Sequence, residues 1–231
     1  MLDKRKEQIL KIILKEHIKT GAPVGSGVLV DKYKLKISPA TVRNEMAELE
    51  ERGYIKQPYT SAGRIPTEKA FRFYIENITE KKLDGSETEE IKSMLKKKNE
   101  LGYKQAAKTI AKMSESAVFW AFHKHDLYYT GISNLLAQPE FAQNGLIYDI
   151  SGIIDRMDEI IEKNFDKLGF GVQIMLGSEN PFSRYCGAIT AKYKVEGQIG
   201  LFGILGPMRM NYEKNAALVK YLTEEITKLF K

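Results

Sequence analysis

The sequence predicts an α+β chain in two parts: a helical N-terminal part closed by a small hairpin, then an antiparallel sheet with helices packed on it. Three observations carry this. Apolar residues recur at helical spacing through residues 1–52. Gln57–Pro66 reads Gln-Pro-Tyr-Thr-Ser-Ala-Gly-Arg-Ile-Pro, rich in turn residues and flanked by short extended runs. Beyond residues 80–86, which have no apolar period, short alternating runs and helical stripes are mixed.

Asp3 is placed to cap a first helix to about Lys19, with Ile9, Leu10, Ile13, Leu14 and Ile18 as its stripe and Gly21 and Pro23 as its stop. Ser26 is expected to cap a second helix from Gly27 to about Tyr33, with Val28, Leu29 and Tyr33 apolar. After a turn over Lys34–Ile37 comes Ser38 as N-cap, with Pro39 at the first helical position, where a missing N–H costs nothing. This third helix should run to about Arg52 and stop at Gly53.

At a hundred degrees per residue, Val42, Met46 and Leu49 share the face that packs inward. Ala40 and Asn44 lie opposite, flanked by Thr41 and Arg43. Glu45, Glu48, Glu50 and Glu51 crowd the later turns, where they would repel phosphates. The N-terminal half, with the positive end of the helix dipole, is therefore the part suited to enter a major groove. Tyr54–Tyr59 and Arg64–Pro66 are expected to pair around Thr60–Gly63, with Gly63 allowing a tight tip and Pro58 and Pro66 at edge positions. A helix followed at once by such a hairpin is how a winged helix-turn-helix meets duplex DNA.

Arg suits guanine and Asn suits adenine in the major groove, so Arg43 and Asn44 are the candidate base readers. Ser38 and Thr41, with the free N–H groups of the first turn, suit phosphate oxygens, and Ala40 lies on the same face. Thr60, Ser61, Gly63 and Arg64 suit backbone or minor-groove contact. Two readings stand for Tyr59: stacking on a sugar, or closing the hairpin. Taken singly, Arg43 and Asn44 could equally be polar residues on a solvated face; the hydroxyl-rich tip beside them shifts the balance.

Thr67 is placed to cap a helix with Phe71, Tyr74, Ile75 and Ile78, and Glu80–Ser86 reads as a linker. Ser86 and Glu89 form a candidate capping box for a helix to about Lys98, and another helix covers about Tyr103–Met113. Ala117–His123 and Leu127–Gly131 read as strands, about Tyr148–Lys167 as one long helix, and Gly171–Leu176 as a strand. Arg184–Val195 and Gln198–Gly206 form a hairpin over Glu196-Gly197, apolar on both faces as in a covered sheet. Asn211 caps a final helix carrying Val219, Leu222, Ile226 and Leu229.

Composition bounds the function. The 231 residues carry a net charge of +6 and are 43% hydrophobic, which suits a globular protein with an anionic partner. Residues 1–80 hold 15 Lys/Arg against 11 Asp/Glu, so most of the excess lies beside the helix and hairpin. The lone Cys186 excludes an intramolecular disulfide, and its strand-like context reads as a buried inert thiol. His17, His123 and His125 lack companions at metal-ligand spacing, and the last two read as solvated turn residues. Gly203–Pro207 lacks the Lys-Ser/Thr end of a phosphate loop, and Glu89/Glu90 and Glu224/Glu225 point apart on helices. No catalytic residue, metal or cofactor is expected. The N-terminus enters charged residues at once and no apolar run is long enough to span a bilayer, so no membrane partner and a cytoplasmic location are expected.

Pro23–Ser26, Ser38–Met46 and Gln57–Thr67 closely resemble the heat-inducible transcription repressor HrcA family, as do Gly131–Leu136, Gln138–Phe141 and Gly206–Tyr212. The resemblance implies a negative regulator of heat-shock chaperone operons of the groE and dnaK type. Such a repressor binds the CIRCE inverted-repeat operator and releases it on heat stress. It implies a winged-helix DNA-binding domain over 1–79, a linker over 80–86, and a GAF-like regulatory and dimerisation domain over 87–231. A GroEL-type chaperonin is the implied modulator. Members usually carry an inserted dimerisation domain and more sheet before Gly131–Leu136; here Ala117–His123 runs almost directly into that segment, and Tyr59 stands where a histidine is usual. An inverted repeat calls for a two-fold dimer, so the Ser86–Met113 helices or the C-terminal helix are expected to supply the interface.

Two other readings compete. In one, the GAF-like domain holds a small-molecule effector that toggles DNA binding, although no convergent polar cluster marks a ligand site. In the other, the chain is a structural interaction module, which leaves Ser38–Pro66 unexplained.

Overall fold

A computed structural model describes residues 2–79, 81–142 and 146–230, which form two compact units, Met1–Ile78 and Thr79–Lys231. In the first unit, α1 (Lys4–Thr20) starts where Asp3 accepts from the Arg5 and Lys6 amides and ends at Gly21 in the left-handed region (φ 68°). The N-cap of α2 (Ser26–Asp31) is Gly25, and Ser26 itself is helical, one residue earlier than expected. Helix α3 (Pro39–Glu51) follows, with Ser38 as N-cap and Gly53 in the left-handed region (φ 73°) beyond its end. The wing is β1 (Ile55–Lys56) and β2 (Ile65–Pro66), antiparallel and shorter than expected. Ile9, Leu10, Ile13, Leu14, Leu29, Val42, Leu49 and Ile55 form the core under α1–α3 and the wing.

Thr67 is the N-cap of α4 (Glu68–Glu76), as expected, but without a side-chain cap bond: its hydroxyl donates to the carbonyls of Gly53 and Tyr54, tying the helix start to the wing base. Polar ties also fasten α1. Glu16, buried, accepts from Lys32 Nζ (2.6 Å) and Tyr33 OH (2.8 Å), which hold its carboxyl below the usual range. Asp3 is pulled down to about 2, chiefly by Lys6. Depressed carboxylates stabilise the fold above their unfolded pKa of roughly 4 and stop doing so as pH falls through the folded value. The melting temperature of this unit is therefore expected to be flat from neutral pH to about 5 and to fall between roughly 4 and 2. Circular dichroism melts across that range check it, and Glu16→Gln should flatten the acid limb.

The second unit begins earlier than expected. Helix α5 (Gly85–Leu95) is opened by a capping box of Asp84 and Glu87, so Gly85 and Ser86 belong to the helix and not to a linker; Glu80, its first expected residue, lies outside the described residues. Asp84 wins the cap because its side chain and the Glu87 carboxylate satisfy each other's backbone N–H. Asn99 caps α6 (Glu100–Ser114) by accepting from Gly102 N–H. Strands β3 (Ala117–His123) and β4 (Asp126–Thr130) pair antiparallel, and Gly131, left-handed at φ 75°, starts α7 (Ile132–Leu136).

After α8 (Pro139–Ala142), the expected long helix is broken into α9 (Leu146–Ile154), α10 (Met157–Asn164) and a 3₁₀ turn over Phe165–Lys167. The break has a local cause: Arg156 Nε takes the Gly152 carbonyl, and the Arg156 amide bonds Ile153 instead. Strand β5 (Gln173–Leu176) and the hairpin of β6 (Cys186–Val195) and β7 (Gln198–Pro207) complete a five-stranded antiparallel sheet in the order β4-β3-β7-β6-β5. The hairpin turn has positive φ at both Glu196 (49°) and Gly197 (84°), the geometry that matches strand twist. Helix α11 (Tyr212–Leu229) is capped by Asn211, as expected.

Both sheet faces are covered. Phe119, Ala121, Ala188, Leu201 and Leu205 meet α7–α10 through Leu135, Phe141, Ile153, Met157 and Ile161. Trp120 and Tyr193 face the other way, under α6 and α11. Ile91, Leu95, Ala106, Ile110, Leu218, Leu222 and Ile226 are buried within this unit. The apolar stripes of α5, α6 and α11 are thus buried inside the fold, so an interface on these helices would use their outer faces. Cys186 is fully buried, and desolvation pushes its thiol up to about 12, so it is inert.

Candidate nucleic-acid interface

Ser38 and Pro39 fix where α3 begins. Ser38 Oγ accepts from Thr41 N–H at 3.1 Å and lies 3.0 Å from Thr41 Oγ1, so the two hydroxyls sit together at the helix mouth. Val42, Met46 and Leu49 are buried; Ser38, Ala40, Arg43 and Asn44 are exposed and Thr41 is half-buried. The outer surface of the first two turns therefore presents hydroxyls, an arginine and an asparagine at the positive end of the helix. Arg43 Nε donates to Ser26 Oγ at 3.3 Å, which aligns the guanidinium along the α2 side.

The acids of the later turns are not bare. Glu45 is buried and pairs with Lys6 (2.9 Å) and Arg5 (3.3 Å), and Glu48 pairs with Lys6 (3.0 Å). The Lys6 ammonium thus sits among Asp3, Glu45 and Glu48, and these hydrogen bonds, Asp3 first, raise its pKa. Only Glu51 of the four acids is fully on the surface with no ion pair described.

The wing tip is built differently from the expectation. Ala62 N–H donates to the Tyr59 carbonyl (3.0 Å), and the left-handed residue of the turn is Ser61 (φ 66°), not Gly63. Gly63 is needed for close approach: a Cβ there would lie 2.5 Å from the Val24 carbonyl carbon. That approach lets Val24 and Arg64 exchange two backbone hydrogen bonds (2.8 and 2.9 Å), so the segment before α2 adds a third rung to the wing. Tyr59 is 67% exposed and Thr60 and Ser61 are exposed, so all three project from the tip. The Tyr59 ring does not close the hairpin.

Arg64 is placed elsewhere. Its Nε donates to Glu50 Oε2 (2.8 Å) and Nη1 reaches the Ala62 carbonyl (3.4 Å), with the side chain half-buried. Glu50 Oε1 accepts from Gln57 N–H (2.9 Å), and Gln57 Nε2 donates to the Ala62 carbonyl (3.1 Å). The structure thus groups Ser38, Ala40, Thr41, Arg43 and Asn44 on one helix face and Tyr59, Thr60 and Ser61 on the tip, with Gly63 and Arg64 in the scaffold between. Val24, Glu50 and Gln57 were missed as wing anchors, because their partners are 5 to 40 positions away in sequence.

Among the described residues no cluster of three or more His, Cys, Asp or Glu is placed to hold a metal, and no helix is long and apolar enough to cross a membrane. A family model described as the HrcA protein C-terminal domain matches residues 66–215. The chain belongs to the HrcA family. Relatives named heat-inducible transcription repressor HrcA, from Pelotomaculum thermopropionicum and Carboxydothermus hydrogenoformans, are each 27% identical to it. The alignments cover 99% of this chain and 97% and 98% of theirs. At 337 and 336 positions they far exceed the 231 residues here, so these HrcA proteins carry long stretches with no counterpart in this chain. HrcA is a family of transcription repressors by name, not of enzymes. A solved structure described as a hypothetical protein at 2.2 Å resolution superposes with a TM-score of 0.84 at 20% identity, covering 100% of this chain and 99% of that one, a likeness of fold.

Proposed function

We propose that this HrcA-family chain is a cytoplasmic repressor of heat-shock chaperone operons that binds an inverted-repeat operator of the CIRCE kind as a homodimer. The face of exposed Ala40, Arg43 and Asn44 beside half-buried Thr41, together with the Tyr59–Ser61 tip, carries the reading. Residues 1–79 would read DNA, with Ser38 and Thr41 on phosphates, Arg43 and Asn44 on base edges, and Tyr59, Thr60 and Ser61 on the flanking backbone. Gly63 and Arg64 would serve by shaping the wing. Residues 87–231 would regulate and pair two copies, and a GroEL-type chaperonin would promote the active form.

Binding to a duplex inverted repeat, a scrambled duplex and single-stranded RNA across salt concentrations tests this. The expected result is a preference for the repeat of about a thousandfold or more over the scramble, with a steep loss of affinity as salt rises. Equal binding to repeat and scramble would overturn the operator reading. Adding a chaperonin to the same titration should raise the active fraction, and no change would remove that partner.

A further inference from the structure

We propose that Glu50 is the positioning residue of the wing: its one carboxylate bolts the C-terminal end of α3 to both arms of the hairpin and so sets where the tip meets the DNA backbone. This rests on the reading of α3 and the wing as the DNA-binding surface. The geometry is specific. One oxygen accepts the Gln57 amide on the outgoing arm (2.9 Å), and the other accepts Arg64 Nε on the returning arm (2.8 Å). Strands β1 and β2 pair over only two residues each, Ile55↔Pro66 and Lys56↔Ile65, so the ladder alone fixes little of the hairpin beyond them. The arms past the ladder are held by Val24 at Arg64, by Gln57 at Ala62, and by Glu50 at both. Of these three anchors Glu50 is the one that comes from α3, so its carboxylate ties the arms past the ladder to the recognition helix.

The same contact gives Arg64 its role. A guanidinium spent on Glu50 and the Ala62 carbonyl supports the arm instead of reaching for phosphate.

The proposal fixes a sign. An acid that merely faces DNA repels phosphate, and neutralising it tightens binding. A clamp does the reverse. Glu50→Gln keeps a carbonyl oxygen for Gln57 but weakens the hold on Arg64, and is expected to weaken repeat binding by about fivefold despite removing a negative charge; Glu50→Ala, which frees both arms, should cost more. Glu51→Gln, on the exposed neighbour, is the charge control and should leave binding equal or tighter. In a chain already carrying Tyr59→Ala, Thr60→Ala and Ser61→Ala, Glu50→Gln should change affinity by less than about twofold, because a clamp acts only through the tip it holds. Hydroxyl-radical footprints of the Glu50→Gln complex should lose protection flanking the half-site and keep it in the major groove. Tighter binding by Glu50→Gln, or an undiminished loss in the tip-less background, would overturn the clamp. A wild-type chain with no preference for the repeat would instead overturn the operator reading, whatever Glu50 does.

Discussion

Asn44→Ala is expected to lower affinity for the inverted repeat by roughly 10- to 100-fold for each half-site while leaving the scrambled duplex within about twofold. An Asn that gives two hydrogen bonds to an adenine edge contributes about 1–3 kcal/mol of discrimination, and a two-fold repressor presents it twice. Asn44 is exposed on the outer face of α3, opposite the buried Val42, Met46 and Leu49, so its removal creates no cavity. Thermal stability should stay within about 0.5 kcal/mol of the parent. Arg43→Ala should behave alike on DNA and lose slightly more stability, because it also breaks the link to Ser26 Oγ. Paired titrations of both duplexes at one salt concentration decide it. Equal losses on repeat and scramble would make Asn44 a backbone contact, and no loss on either would remove α3 from the interface.

How much of this surface the sequence discloses depends on the reach of the interactions that build it. The start of α3 is legible because Ser38, Pro39 and Thr41 act on one another within a single turn. Its buried and exposed faces are legible because one helical period sorts them. The wing is only half legible: residues 57–66 announce a hairpin, but the acceptor on α3 for Arg64 and the Val24 backbone against Gly63 arrive from other elements. The repulsive acids expected on α3 are largely held by Arg5, Lys6 and Arg64, a pairing no local pattern reveals. In the second unit, Ile150, Ile153, Met157 and Ile161 keep a helical period straight across the break at Arg156, so periodicity could not expose it. The short α7 and α8 escaped for the opposite reason, being too brief for a period to form.

Trp120→Ala is expected to destabilise the second unit by about 3–5 kcal/mol, the range for deleting a large aromatic from a packed core. Trp120 is fully buried on β3, which lies between β4 and β7, stacked 5.1 Å from Phe122 and edge-on to Phe202 at 5.2 Å and Tyr193 at 6.3 Å, with Tyr103 of α6 at 5.7 Å. Its Nε1–H donates to Tyr193 OH at 2.7 Å in a buried bond, so truncation also strips the Tyr193 hydroxyl of that donor. The Tyr193 ring lies over Gly200, in the space that a side chain there would fill. Trp120→Phe retains most of the apolar area and should cost markedly less, and adding Tyr193→Phe to it should cost less than the two single changes summed, since neither polar atom is then left without its mate. Urea unfolding followed by circular dichroism measures Trp120→Ala, the two single Phe changes and the double variant. The functional consequence separates the roles of the two units. If residues 87–231 pair two copies, Trp120→Ala should reduce affinity for the whole inverted repeat toward that for a single half-site, while half-site binding through α3 and the wing persists. An unfolded second unit with undiminished repeat binding would mean that pairing resides elsewhere in the chain.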